Sequence, residues 1–176
     1  MKRVTPPVAT ALLSAIRAKG GIAKGFDIRL AKLSDIPALL DIGHACFSYN
    51  PPTRRELAYA IGKGHMMIAL LVETKTGTVA GFDIYEFNRR TQAMYFSLTC
   101  LLPEYRGRGL SRSLLTVCHG VAQGAGCRSI RTHVAENNKA MIYLLESARH
   151  TRGERHKAYY SDKKAALTFR LALDKK

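Results

Sequence analysis

The sequence predicts one α/β domain built on a mixed β-sheet. Three observations lead there. The chain has 176 residues, 47% apolar and 23% charged, and such a chain can bury about two thirds of its unfolded surface in a single core. Its hydrophobic period switches repeatedly between two and 3.6, which gives the order β-α-α-β-β-β-α-β-α-β-β from Phe26 to Leu173. No repeat, low-complexity stretch or internal linker interrupts that order. No apolar run approaches the roughly 20 residues that cross a bilayer, so a membrane helix is excluded.

Phe26 to Leu30 alternates as a short strand. Ser34 is placed to cap a helix with Ile36, Leu39, Leu40 and Gly43 on one face. After a loop at Tyr49 to Pro52, Thr53 and Glu56 have capping-box spacing and open a second helix, with Leu57, Ala60 and Ile61 inward. Met66 to Glu73 and Thr78 to Asn88 read as strands around a turn at Lys75 to Gly77. Thr91 to Leu102 is a third strand, stopped by Pro103. Ser111 to Ala125 is a helix with Leu114, Leu115, Cys118, Val121 and Ala122 on one face, ended by Gly124 and Gly126. Ser129 to Ala135 is a strand, and Asn138 to Ala148 a helix with Met141, Leu144 and Leu145 inward. Arg152 to Tyr160 and Ala165 to Leu173 close the order as two strands.

Residues 1–25 form a separate basic extension. They hold Lys2, Arg3, Arg17, Lys19 and Lys24 and no acid. Val8, Leu12 and Ile16 lie on one stripe of a short helix over Val8 to Ala18, and glycines 20, 21 and 25 end it. The stretch lacks the apolar core of a signal peptide, which leaves an accessory helix or loose arm that packs on the domain of 26–176, or an organelle transit segment.

Charge is the unusual quantity. Lys plus Arg number 28 against 13 for Asp plus Glu, a net of +15. Residues 1–88 carry 11 basic and 7 acidic groups, and residues 89–176 carry 17 and 6. A field of that sign attracts polyanions such as nucleic acid, the ribosome or a phosphorylated cofactor, and repels polyamines and aminoglycosides. A merely solvated basic surface is the plainer reading. The four cysteines (46, 100, 118 and 127) show no C-x-x-C spacing, and the six histidines show no H-x-x-x-H pair. They read as reduced thiols of a cytoplasmic protein with no metal site.

The stretch from Tyr95 to Leu115 carries the chemistry. A strand ends at Pro103, the loop Glu104-Tyr105-Arg106-Gly107-Arg108-Gly109-Leu110-Ser111 follows, and a helix begins at its end. Two glycines allow close backbone approach, the helix N-terminus favours an anion, and Arg106, Arg108 and Arg112 add positive charge. This is a pyrophosphate cradle. No G-K-[ST] follows, so a Walker loop is excluded, and Arg112 stands where a dinucleotide fingerprint needs its third glycine.

With L-P-E-Y before it and S-L-L after it, Arg106-Gly107-Arg108-Gly109-Leu110-Ser111 resembles the Q/R-x-x-G-x-G/A motif of the GNAT family of acetyl-CoA-dependent N-acetyltransferases. The element order resembles the family's from Phe26 to Leu173. Ala45-Cys46-Phe47, Asn138 and the Tyr159-Tyr160 pair are most similar to the ribosomal-protein alanine acetyltransferase branch. The resemblance implies a GNAT-like fold, a mixed sheet of six or seven strands flanked by four helices. It also implies that backbone groups of Thr99, Cys100 and Leu101 pair with the pantetheine arm of acetyl-CoA, that the Leu101 N–H stabilises the oxyanion, that Gly107, Arg108, Gly109, Leu110, Ser111 and Arg112 hold the pyrophosphate with Arg106, and that Asn138 binds the cofactor arm. A plain helix N-cap serves Asn138 equally well.

The branch's general base falls at His133, which a core or solvated histidine would also explain. The family's general-acid Tyr position is Leu145 here, and its L-G-F is replaced by Ala148-Arg149-His150. Either a different acid, such as Tyr159 or Tyr160, takes over, or the chain needs none, or catalysis is weakened or lost and the chain is an acyl-CoA or nucleic-acid binding module. The two tyrosines read equally well as ordinary edge-strand aromatics. The expected acceptor is an amine: a protein N-terminus or Lys, or alternatively a small neutral or acidic metabolite. A homodimer fits the resemblance too.

Overall fold

The strands are placed by alternation or, as over Met66–Glu73, by a continuous apolar run, and each helix by the apolar stripe it must cover. The computed structural model describes Ala9, Leu13, Ser14, Ile16 and residues 20–47 and 51–173. In chain order the elements are β1 (Phe26–Leu30), α1 (Ile36–Cys46), α2 (Arg54–Gly62), β2 (Met66–Glu73), β3 (Val79–Asn88), β4 (Ala93–Leu101), α3 (Leu110–Gly124), β5 (Ser129–Ala135), α4 (Lys139–Ser147), β6 (Thr151–His156) and β7 (Ala166–Ala172). The strands form one mixed sheet in the order β1-β2-β3-β4-β5-β7-β6. Among the described residues only β4 and β5 pair in parallel.

Helices cover both faces. On one, Ile36, Leu39 and Ile42 of α1 and Leu57 and Ala60 of α2 pack on Ile68, Leu70, Phe82, Ile84 and Cys100. On the other, α3 and α4 bury Leu114, Leu115, Val117, Cys118, Val121, Ile142 and Leu145 against Met94, Phe96, Ile130, Val134 and Phe169. A side chain as fully buried as Leu39 or Leu57 contributes about 2 kcal/mol of transfer free energy.

Ala9, Leu13 and Ile16 join that second layer. Of the expected Val8–Ala18 helix, the four described residues are helical, and the remainder, Val8 and Leu12 included, lies outside the described residues. The contact is close. A Cβ on Gly120 of α3 would meet Ile16 Cγ1 at 2.6 Å, and the Ala23 N–H donates to Ser113 Oγ (3.1 Å).

Several sequence expectations need correction. Ser34 caps nothing, because a 3₁₀ turn (Leu33–Asp35) precedes α1. Asp35 does the local work, accepting from the Lys32 N–H (2.7 Å) and pairing with both Arg29 nitrogens (2.8 Å each). In α4 the fully inward residues are Ile142 and Leu145, with Met141 and Leu144 at the margin. The strand expected over Arg152–Tyr160 stops at His156, and Ala158 turns with φ +48°. Tyr159 and Tyr160 are therefore loop residues rather than strand aromatics.

Under the α3 face, His119 and buried His150 share an Nε2–Nε2 hydrogen bond of 2.9 Å, while His150 Nδ1 is buried without a partner among the described residues. Burial, reinforced by His119, pulls His150 down to about 4. The folded protein thus holds this ring neutral while the unfolded chain protonates it near 6.5. Its contribution is complete above pH 6.5 and disappears as pH falls toward 4, a loss of roughly 3 kcal/mol. Buried Asp83, raised to about 7, titrates with the opposite sign over the same range, so the loss is read as the difference between wild type and His150→Leu. On going from pH 7.5 to pH 4.5 in urea unfolding, the wild type should lose about 3 kcal/mol more than the variant. An unchanged acid limb in the variant would count against the pair.

Candidate active site

The site is created by a defect in strand pairing. Opposite Ile84 and Tyr85 of β3, strand β4 presents Leu98 and Phe96, so Ser97 is an extra residue, a β-bulge. The bulge bends β4, and its pairing with β5 extends only from Ala93↔Ser129 to Tyr95↔Arg131. One further tie follows, from Thr132 Oγ1 to the Phe96 carbonyl (2.7 Å). Beyond it the two strands part.

The opened edge has a definite polarity. The Leu102 N–H donates to the Ala80 carbonyl (3.0 Å). An antiparallel ladder alternates, so Cys100 also turns its backbone toward β3, whereas Thr99 and Leu101 turn N–H and C=O toward the gap. The Leu101 carbonyl there accepts from Arg106 Nε (3.0 Å) and from the Cys46 thiol at the end of α1 (3.3 Å). Beneath the strand, the fully buried Asp83 accepts from Thr99 Oγ1 (2.6 Å) and Tyr85 Oη (2.7 Å). Burial outweighs those hydrogen bonds and raises Asp83 to about 7.

At the foot of the gap the chain makes a 3₁₀ turn (Pro103–Tyr105) and enters the cradle. Gly107 and Gly109 both have φ +74°, and a Cβ on either would point into open space. Gly109 is the N-cap of α3. A cap without a side chain leaves the first N–H groups of α3 facing outward, toward an anion. Arg106 turns back to Leu101, and Arg108 lies over the Tyr105 ring at 5.2 Å. The open glycines, the 15-residue helix behind them and the arginines fit a pyrophosphate.

Across the gap, β5 presents His133. Its ring stacks on Tyr159 (centroids 4.7 Å apart, planes at 20°), with His156 at 5.3 Å. Tyr160 packs edge-on against Tyr159 at 5.0 Å, and its hydroxyl reaches the His133 carbonyl at 3.5 Å. His156 is held by Thr168 Oγ1 (2.8 Å). Burial, then the neighbouring His156, holds His133 below its ordinary value, so the ring is neutral at pH 7 and able to accept a proton. Asn138 caps α4, its side chain accepting from the Met141 N–H (3.1 Å).

The sequence profile of the Acetyltransferase (GNAT) family matches residues 36–150, which include the bulged strand and the cradle. The chain belongs to the GNAT family. It is an N-acetyltransferase whose co-substrate is acetyl-CoA. The Photorhabdus laumondii acetyltransferase plu1384 is 27% identical over 121 residues, 68% of this chain and 82% of that protein. The Escherichia coli ribosomal-protein-S18-alanine N-acetyltransferase shares the fold at 21% identity, with a TM-score of 0.77 over 86% of this chain and 96% of the other. The yncA protein of Salmonella typhimurium, solved with its cofactor acetyl-CoA, aligns with a TM-score of 0.71 at 20% identity, over 86% and 95% of the two chains.

Within the GNAT frame, Leu145 is fully buried and Tyr143 is 72% exposed. Neither therefore reaches the gap in the manner of the tyrosine usual at that place in the family. The structure brings together His133, Tyr159 and Tyr160, as well as Leu101 and Arg106. Sequence reasoning missed four neighbours. Gly81 interrupts an apolar strand, a recognised mark of close backbone approach, and its Cβ would lie 2.3 Å from the Cys100 carbonyl. Asp83 was visible as a lone charge between Phe82 and Ile84. His156 carries no local signal, and Cys46 stood out only within Ala45-Cys46-Phe47, with nothing to place it beside Leu101.

Proposed function

We propose that this GNAT enzyme acetylates a protein acceptor, at an N-terminal α-amine or a Lys, from acetyl-CoA lying along the open edge of β4. Gly107 to Arg112 hold the pyrophosphate, Asn138 contacts the arm, and Thr99 and Leu101 offer backbone groups to pantetheine. The Leu101 N–H meets the developing oxyanion, usually a large catalytic contribution. His133 takes the amine proton directly or through water, and Tyr159 or Tyr160 returns one to the departing CoA thiolate. The observation that carries this assignment is the His133–Tyr159 stack immediately past the point where β4 and β5 part.

The charge supports the choice of acceptor. With 28 basic against 13 acidic residues, the surface repels polyamines and favours acceptors near polyanions such as ribosomal RNA. The test is thiol release from acetyl-CoA against N-terminal peptides, Lys peptides, polyamines and neutral or acidic amino acids. A peptide should be the best acceptor. His133→Gln should lower kcat by about 100-fold, within the range for a general base, and remove the pH limb that His133 supplies. Polyamine as the best acceptor would sink the charge argument. Cofactor binding with no turnover anywhere, joined to salt-sensitive RNA affinity, would favour the binding-module reading.

A further inference from the structure

Cys46 and Cys100 come from different elements and meet beside the acyl-binding edge. Cys46 ends α1 and is half-buried, while Cys100 lies inside β4 at 1% exposure. Cys100 belongs to the core cluster between α1, α2 and the sheet, and Cys46 packs against that cluster. The Cys46 sulfur also contacts the Leu101 carbonyl at 3.3 Å, and Arg106 Nη2 points at it from 3.7 Å. A half-buried thiol beside a guanidinium, on the carbonyl of the residue that follows a second cysteine, is an arrangement in which thiolate chemistry concentrates.

We propose that Cys46 and Cys100 are a peroxide-oxidisable pair, whose disulfide would tie the end of α1 to β4 and weaken acetyl-CoA binding. The Cys46 thiolate attacks one peroxide oxygen and becomes a sulfenic acid, and the other oxygen leaves as hydroxide and then water. The Cys100 sulfur next attacks the Cys46 sulfur. The S–S bond forms as the S–O bond breaks, and the departing hydroxide takes the Cys100 proton. Two thiols and one peroxide give one disulfide and two waters, with sulfur oxidised and peroxide oxygen reduced. Cys100 and Arg106 hold Cys46 at about 6, whereas burial drives Cys100 up, so the two have distinct roles as attacked and resolving sulfurs. Cys118 and Cys127 are buried and likewise raised, and they should react last.

Binding changes because Arg106 both holds the Leu101 carbonyl and faces the Cys46 sulfur. A disulfide discharges the thiolate that Arg106 Nη2 faces and displaces the edge that Leu101 belongs to. This part of the inference rests on the acetyl-CoA assignment above.

The experiment treats purified full-length protein with hydrogen peroxide, then maps disulfides by peptide mass spectrometry and titrates acetyl-CoA calorimetrically before and after. The expected result is a Cys46–Cys100 cross-link, a fall from four titratable thiols to two, and affinity about tenfold weaker, as follows from losing one or two positioning hydrogen bonds. Dithiothreitol should restore it. In Cys46→Ser the oxidised-to-reduced affinity ratio should become one, whatever its basal value, and Cys127→Ser should retain the wild-type response. Oxidation at Cys118 or Cys127 first, Cys46 sulfinic acid without a cross-link, or a cross-link that leaves affinity unchanged would each overturn the proposal. Failure of the reduced protein to bind acetyl-CoA would instead overturn the binding-site assignment, and the disulfide map would still report on the thiol pair.

Discussion

Gly109→Glu is expected to fold and to lose acetyl-CoA affinity by about 100-fold or more, a difference near 3 kcal/mol. Gly109 has φ +74°, so any L side chain there carries roughly 1 kcal/mol of backbone strain. That cost is small, because the added Cβ meets nothing within 4 Å. The functional cost is larger. Glu would set a negative charge at the N-cap of the 15-residue α3, where its carboxylate competes for the same N–H groups that face the pyrophosphate. Thermal unfolding and calorimetry separate the two effects. Near-wild-type stability with binding lost supports the cradle, whereas tight binding by the variant removes it from the site. Gly109→Ala, carrying the strain without the charge, should fall between them.

Gly81→Ala should act in the opposite order, with stability affected first. A Cβ on Gly81 would lie 2.3 Å from the Cys100 carbonyl oxygen and 3.1 Å from Leu101 Cα. Both are backbone atoms of β4, so no rotamer change relieves the overlap and the strand itself must move. Overpacking of that kind costs about 1–3 kcal/mol, and here the displaced segment holds the backbone groups assigned to pantetheine. Urea unfolding should therefore show a loss of about 2 kcal/mol, with weakened acetyl-CoA binding alongside it. Gly153→Ala in β6 is the control. Its nearest neighbour would lie at 3.6 Å, an ordinary contact, and its stability should change by less than about 0.5 kcal/mol. Equal behaviour of the two variants would show that Gly81 is not sterically required.

The two substitutions differ in how much of their outcome is readable from the chain alone. The cradle was legible, because a glycine with positive φ, an N-terminal helical turn and neighbouring arginines are local features. So were β2 at Met66–Glu73, a continuous apolar run, and β5 at Ser129–Ala135, an alternating one, complete within eight and seven residues respectively. The capping box at Thr53 and Glu56 likewise appears as expected, with Glu56 accepting from both the Thr53 N–H and its hydroxyl (2.8 Å each).

Tertiary structure decided the rest, for a common physical reason. Whether His133 can serve as a base depends on Tyr159 and His156, which reach it only after β7 pairs between β5 and β6. Cys46 and Cys100 are 54 positions apart and meet only because α1 packs on β4. Ser34 satisfied the rule for a cap and lost the position to Asp35, whose carboxylate also had Arg29 to bind. Periodicity, capping residues and glycine placement act over a few neighbouring residues, so the sequence by itself determined the element order, the fold class and the anion-binding loop. The bulge at Ser97, the parting of β4 from β5, and the groups that face each other across that gap arise from contacts between distant segments, and those exist only in the folded sheet.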